Sequence, residues 1–525
     1  MARERWGSKL GVILAVAGSA IGLGNFLRFP GQAAQNGGGA FLIPYFVALF
    51  LLGLPMIWIE WTVGRFGGGF GHSTAPGMFH TLWNKNRFIK YFGVIGIFGP
   101  AVIFIYYIYV ESWILGYAWF AVTGQLNACI EGRSFEQATL AMKDFLRGYQ
   151  GAAPNEHFSG IGPAYLFFVL TFATNLLILY GGVQRGIEAV CKYGLPVLFV
   201  LGIVLMVRVF TIATPDPRKP DWNVVNGLGF LWNPDWSALG SGQVWLAAAG
   251  QIFFTLSVGF GVILTYASYL TPKDDVALSG LTAAAANEAA EVIIGGSIVI
   301  PAAFAFFGAA ATAEIARAGT FDLGFVTMPL VLQRMAFSEL LGLAWFLLLF
   351  VAGVTSSISL AQPAIAFLED EFGLSKKEAT LVFGLNTFTL CHGVIFFMGN
   401  GVMDELDFWG VNLCLVLFAT VEIFLFAWVF GMDRAWTELH AGSDITIPPF
   451  YRWIIKYVTP AVLLTIFISW LVQGGFEKIF MMKDVPEKDF YYILGTRLAL
   501  VAMFANLALL VRFAWKRRRS GEAAA

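Results

Sequence analysis

Apolar residues gather into twelve stretches, near 10–33, 39–63, 92–122, 163–180, 188–209, 243–268, 280–305, 340–368, 379–397, 407–430, 453–473 and 489–514. A helix that crosses a bilayer needs about 20 mainly apolar residues, so the pattern predicts twelve transmembrane helices. Basic residues favour the cytoplasmic face. Arg3, Arg5 and Lys9 precede the first stretch, and Lys516, Arg517, Arg518 and Arg519 follow the last. Lys85, Arg87 and Lys90, then Arg185 and Lys192, then Lys376 and Lys377 sit in short connections expected on that same face. Segments 34–39 and 398–406 carry no Lys or Arg and are expected outside, with the longer segments 123–162 and 210–241. Both termini are therefore expected in the cytoplasm. The basic start and the small residues Gly18, Ser19 and Ala20 resemble a secretory signal. The apolar run continues through Phe29 without a polar mature start, which argues against cleavage.

Composition agrees with the pattern. Of 525 residues, 58 % are hydrophobic and 13 % charged, with a mean hydropathy of +0.71. Soluble chains carry about 25 % charge, so this is read as an all-α, polytopic protein of the cell's inner (plasma) membrane. Fifty-one Phe and 17 Trp beside 4 Cys exclude a disulfide scaffold and a disordered chain. A net charge of −1 gives no case for nucleic acid. His72, His80, His157, His392 and His440 lack metal-ligand spacing, and Cys129, Cys191, Cys391 and Cys414 form no CxxC. There is no P-loop, so neither an enzyme nor a nucleotide-driven pump is expected.

Two stretches are interrupted by glycine at matching places. The first holds Gly18-Ser19-Ala20-Ile21-Gly22-Leu23-Gly24-Asn25, the sixth Thr255-Leu256-Ser257-Val258-Gly259-Phe260-Gly261. Gly18 and Gly22 also form a GxxxG pair, which by itself reads as helix packing. The interrupted spans, however, open two segments of five spans each, 1–209 and 243–430, joined by 210–242. Five is odd, so these are expected to be inverted repeats, with 431–525 supplying two additional helices and a basic tail. Matched interrupted spans point to the site of an inverted-repeat transporter. Freed N–H groups at a half-helix start suit an anion and freed carbonyls at a half-helix end suit a cation, so the breaks offer partners to both ends of a zwitterion such as an amino acid.

Other polar residues lie in the membrane interior. Ala352, Thr355, Ser356 and Ser359 share one helical face, suited either to a hard cation or to back-bonding onto carbonyls one turn earlier. Asn287 and Glu291 share another face, with Glu288 about 100° away. Glu60 either satisfies backbone N–H groups freed at the breaks or acts directly. Glu111 has no assigned role. Arg28 with Asp407, and Arg3 with Asp370, are either ordinary interfacial charges or gates at opposite mouths.

Gly22-Leu23-Gly24-Asn25-Phe26-Leu27-Arg28-Phe29-Pro30, Gln251-Ile252-Phe253-Phe254-Thr255-Leu256-Ser257, Thr355-Ser356-Ser357 and Asp404-Glu405-Leu406-Asp407-Phe408-Trp409 together resemble the neurotransmitter:sodium symporter family over essentially the whole chain. The resemblance implies two sodium sites, the first using Ala20, Asn25, Thr255 and Asn287 with the substrate carboxylate, the second Gly18, Ile21, Ala352, Thr355 and Ser356. It implies a substrate carboxylate on Leu23, Gly24 and Tyr107, and an ammonium on Ala20, Phe254, Thr255 and Ser257. Ile103, Phe254, Phe260, Ser356 and Leu360 would enclose an apolar side chain. Trp6 and Tyr269 would accompany Arg3 and Asp370 at the inner gate. Chloride-requiring members carry Ser where Glu291 stands, among Tyr45, Gln251, Thr255 and Asn287. A carboxylate there is expected to replace chloride and to take up a proton when sodium leaves. The resemblance leaves a homodimer open. The reading is sodium-coupled symport of neutral amino acids; a carrier of another small zwitterion, a non-transporting sensor and a channel stay open as alternatives.

Overall fold

The computed structural model describes residues 4–152, 154–234, 236–480 and 485–522, which are helical with no strand among them. Among the described residues, ten helices are long and apolar enough to cross a membrane: Gly39–Gly69, Ile89–Val122, Gly162–Tyr180, Val183–Phe210, Val276–Thr312, Ser338–Phe372, Lys376–Asn400, Val402–Leu439, Phe450–Phe480 and Glu487–Arg518. Lys9–Ala20 and Gly24–Gln35, bent by 46°, make an eleventh if taken as one span. The expected span 243–268 is two helices, Gly242–Thr255 and Val262–Ala267. Six non-helical residues between them leave neither half long enough to cross alone.

The third and eighth spans form the centre, with 89 % and 72 % of their apolar windows buried. Phe450–Phe480 and Glu487–Arg518, at 17 % and 22 %, lie at the edge. Helix ends follow local chemistry. Ser8 caps the first helix by accepting from the Gly11 N–H, and Ser375 with Glu378 forms a reciprocal capping box. The expected outer connections hold helices that hydropathy alone did not mark, Gln125–Ile130, Phe135–Tyr149 and Val224–Trp232, and a short apolar helix, Leu323–Leu332, lies between the seventh and eighth spans. Segment 398–406 is mostly a helical start, Val402–Asp407.

Backbone geometry explains the second break. Ser257, Gly259 and Gly261 have φ of +53°, +80° and +75°, a left-handed region costly for residues with a Cβ. A Cβ on Gly261 would stand 2.5 Å from the Gly96 carbonyl, and one on Gly259 would stand 2.9 Å from the Leu415 carbonyl. Glycine thus lets the break lie against two neighbouring helices. Gly259→Ala is expected to destabilise the protein by about 1–2 kcal/mol and lower its thermal midpoint in detergent. Gly250→Ala, where an added Cβ meets nothing within 4 Å, should leave that midpoint unchanged or raise it.

Candidate functional site

The two breaks face each other and are held by side chains. The Gly22 N–H donates to Asn25 Oδ1 at 2.8 Å, and the Leu23 N–H lies 3.4 Å from the Tyr107 hydroxyl. The Ser257 hydroxyl donates to the Ser19 carbonyl at 2.9 Å. Glu60, fully buried, accepts the Gly259 N–H freed by the second break. Of the two readings of Glu60, this contact is the backbone-satisfying one. A Cβ on Gly24 would meet Phe254 Cε1 at 2.6 Å, so the first break can approach this ring only as glycine.

One polar cluster joins the first, sixth and seventh spans. Asn25 Nδ2 donates to Asn287 Oδ1 at 2.8 Å and to Glu291 Oε2 at 3.0 Å. Asn287 Nδ2 donates to Thr255 Oγ1 at 3.0 Å, and Gln251 Nε2 donates to Glu291 Oε1 at 2.8 Å. The Thr255 hydroxyl also donates to Glu291. Asn25, Thr255, Asn287 and Glu291 are all buried. Tyr45 meets both carboxyls of the seventh span: its hydroxyl donates to Glu288 Oε2 at 2.8 Å and also interacts with Glu291, which Asn25 joins as a further neighbour. The wide helical turn Ala289–Gly295 begins directly after Glu288.

A second cluster lies where the first and eighth spans touch. Ser356 Oγ donates to the Ser19 and Gly18 carbonyls at 3.3 and 3.5 Å. Thr355 Oγ1 donates to Val351 and Ala352 carbonyls at 3.0 and 3.2 Å, and Ser359 bonds back to the Thr355 carbonyl at 2.7 Å. Back-bonding thus holds for Thr355 and Ser359, while Ser356 reaches the facing helix. Ile21 leaves the helix with ψ of 91°. Carbonyls of Gly18 and Ala352 and hydroxyls of Thr355 and Ser356 form a compact oxygen-donor group of the kind that suits a hard cation. Among the described residues, no cluster of three or more His, Cys, Asp or Glu is arranged for a transition metal.

A cavity of about 210 Å³ sits beside the breaks, lined by Leu23, Gly24, Tyr107 and Phe254 together with Arg28 and Asp407. Ile103 and Phe260 are buried and Leu360 half-buried, but none of the three lines this cavity. Ala20 ends the first helix, also buried. Arg28 lies over the Phe254 ring at 4.5 Å. Asp407 accepts from the Tyr106 hydroxyl at 2.7 Å, and no ion pair joins it to Arg28 among the described residues.

The opposite mouth is strapped by the N-terminal segment. Trp6 Nε1 donates to the Tyr266 carbonyl at 2.9 Å, and its ring meets Tyr266 and Tyr269 edge-on at 5.2 and 6.4 Å. Gln362 donates to the Tyr269 hydroxyl at 2.9 Å, and Asp370 accepts the Ser73 N–H at 2.8 Å. Arg3 lies outside the described residues. Sequence reasoning missed several partners here. Lys376 holds Glu4 at 3.1 Å and Glu369 at 3.3 Å. Glu188 accepts the Gly7 N–H at 2.7 Å and the Ser8 hydroxyl at 3.0 Å. It also missed the role of Glu111, which accepts from Asn175 at 2.9 Å, while Ser357 donates to Asn175 at 2.6 Å. This chain ties the third, fourth and eighth spans. Only the polarity of Asn175 and Ser357 within apolar stretches could have signalled it.

Two broken helices meeting in mid-protein beside buried oxygen clusters define a secondary transporter. The sequence profile of the sodium:neurotransmitter symporter family matches residues 3–516, and the chain belongs to that family. It is 31 % identical over 470 residues to an uncharacterized sodium-dependent transporter of Methanocaldococcus jannaschii, covering 89 % of this chain and 90 % of that one. It is 27 % identical to the sodium-dependent dopamine transporter of Caenorhabditis elegans, covering 89 % and 80 %. The crystal structure of MhsT in complex with L-phenylalanine superimposes with a TM-score of 0.74 at 30 % identity, covering 89 % of this chain and all of that one. The protein is thus a sodium-dependent membrane transporter.

The strap predicts how this mouth opens. Ser359→Cys places a thiol beside Tyr266, against whose ring Trp6 packs, and the four native cysteines are buried, so background labelling should be low. Adding Trp6→Ala or Asp370→Ala should raise its modification rate several-fold over the Ser359→Cys parent. Equal rates would remove both residues from the gate.

Proposed function

We propose that the protein is a symporter of neutral, apolar amino acids that moves two sodium ions per substrate by alternating access and needs no chloride. The cluster of Asn25, Thr255, Asn287 and Glu291 against the first break carries this reading. It brings neutral oxygen donors and one carboxyl together beside unwound backbone, where a substrate carboxylate completes the first sodium site with the Ala20 carbonyl. The second ion lies among Gly18, Ile21, Ala352, Thr355 and Ser356. Leu23 and Gly24 N–H groups and the Tyr107 hydroxyl hold the carboxylate, and carbonyls of Ala20, Phe254 and Thr255 with Ser257 hold the ammonium. Ile103, Phe254, Phe260, Ser356 and Leu360 close around the side chain as the repeats 1–209 and 243–430 rock, with 431–525 outside the motion. No charge faces that side chain, and the phenylalanine bound by MhsT supports an apolar amino acid as substrate.

In this reading both termini are cytoplasmic, Arg28 and Asp407 close the outer mouth, and Arg3, Asp370, Trp6 and Tyr269 close the inner one. One charge moved across 100 mV is worth about 2.3 kcal/mol and a tenfold gradient about 1.4 kcal/mol. Two sodium ions therefore supply roughly 7 kcal/mol, enough for steep accumulation of a neutral solute. Glu291 supplies the negative charge beside the first ion that chloride provides elsewhere, held by Asn25, Gln251 and Thr255.

Proteoliposomes should accumulate neutral amino acids only with an inward sodium gradient, and uptake unchanged when sodium is replaced would defeat the proposal. Thr355→Val removes one ligand at constant volume and should raise the half-saturating sodium concentration about tenfold, equivalent to ~1.4 kcal/mol, in a sodium titration of amino-acid binding. Wild-type uptake should be indifferent to chloride. Glu291→Ser should make it chloride-dependent, and a folded, active variant still indifferent to chloride would exclude the role given to Glu291.

A further inference from the structure

A further cavity lies away from both breaks. It measures about 860 Å³ and is bordered by the end of the span Val183–Phe210, the segment 211–222, the end of the span Val276–Thr312, and Phe135 and Arg334. Three cations line it: Arg208, Lys219 and Arg334. Each is steadied by a neutral partner. Arg208 Nη1 donates to Thr211 Oγ1 at 2.9 Å, Lys219 Nζ lies 3.6 Å from the centre of the Trp222 ring, and Arg334 lies over Phe135 at 5.3 Å. The single carboxylate in the lining, Asp216, is taken by the Arg218 backbone N–H at 3.0 Å and its guanidinium at 3.1 Å. No acid among the described residues forms an ion pair with Arg208, Lys219 or Arg334; Asp216 attracts Lys219 through space as well as holding Arg218, so the cavity lining carries an excess of positive charge.

The cavity wall is built rather than incidental. Gly308 breaks the end of the seventh span at φ 74°, ψ 173°, and a Cβ there would stand 2.5 Å from the Trp222 indole. The glycine therefore seats Trp222, and with it the turn carrying Lys219. Depth is set by the fifth span. Glu188, at its other end, binds the N-terminal segment, so Arg208 lies about 30 Å further along, at the opposite membrane surface. Val200, Val204 and Val207 lead up to Arg208 and Thr211 at helical spacing, and their exposures of 60, 50 and 53 % mark a lipid-facing aliphatic track ending at the cations. Phe135, Ile212, Phe306 and Phe307 add apolar lining beside the charges.

We propose that this cavity binds the phosphate headgroup of an anionic phospholipid from the leaflet opposite the N-terminus, with its acyl chains along the Val200–Val207 track. A ligand that is both anionic and apolar satisfies the cations and the track together, which a free phosphate does not. The inference goes beyond the transport cycle and does not depend on the substrate assigned above.

Native mass spectrometry of the full chain in detergent, with phosphatidylglycerol and phosphatidylcholine of identical chains, tests it. Phosphatidylglycerol should be retained at least ~tenfold in preference, since each basic residue near a membrane surface strengthens the attraction to anionic lipid several-fold. The triple variant Arg208→Gln, Lys219→Gln, Arg334→Gln should bring the ratio close to one with sodium-dependent amino-acid binding unchanged. Lys219→Gln alone, in an exposed turn, should lower the ratio several-fold and serves if the triple variant does not fold. A cytoplasmic-tail variant, Lys516→Gln with Arg517→Gln, should keep the preference. Equal retention of the two lipids by the wild type, or an unaltered ratio in the Lys219 and triple variants, overturns the proposal. So does a preference lost only in the tail variant. Displacement of phosphatidylglycerol by millimolar inorganic phosphate would assign the cavity to a soluble anion and overturn the lipid assignment.

Discussion

A backbone group left without a partner in a water-free interior costs several kcal/mol, and both breaks expose such groups. The neighbourhood of the site follows from meeting that cost. Glu60 takes the Gly259 N–H, Asn25 takes the Gly22 N–H, and the Ser257 hydroxyl returns to the Ser19 carbonyl. Each of these side chains comes from a different stretch or from across a break, so the two interrupted helices are held against each other and against the second span. The oxygen donors that remain, at Gly18, Ala20, Ala352, Thr355 and Asn287, are displayed by a framework whose own hydrogen bonds are largely satisfied.

Much of this was legible in the sequence because its causes are local. Glycine pairs in mid-membrane mark where a helix cannot continue, and the four-residue spacing of Asn287 and Glu291 was enough to place both on Asn25. Isolated charges were harder to read. Glu188 and Lys376 look like ordinary interfacial residues, and only the fold brings the chain's first residues onto them. Glu111 stayed without a role because its partner Asn175 lies 64 positions away. The bond from Tyr45 to Glu288 went unread, because hydropathy says nothing of which polar residues meet across elements. The helices of the outer connections escaped for a similar reason, since Phe135–Tyr149 is amphipathic rather than uniformly apolar.

The two mouths are in different conditions. On one side Arg28 and Asp407 border a cavity and engage Phe254 and Tyr106 rather than each other. On the other, Trp6, Gln362, Lys376 and Glu188 make a continuous set of contacts across the mouth. Side-chain contacts are therefore continuous across the N-terminal mouth and interrupted between Arg28 and Asp407.

The strap has a consequence for timing. Residues 4–9 attach within six positions to the fifth residue of one broken-helix half (Tyr266), to the start of the fifth span (Glu188), to the ninth (Lys376) and to the loop beyond the tenth (Asp444). A segment so short cannot release one anchor and keep the others in register, so the mouth passes between two discrete arrangements rather than widening by degrees. Several enthalpic contacts then break in a single step. Opening of this mouth should therefore carry a large activation enthalpy, with a rate that rises steeply on warming.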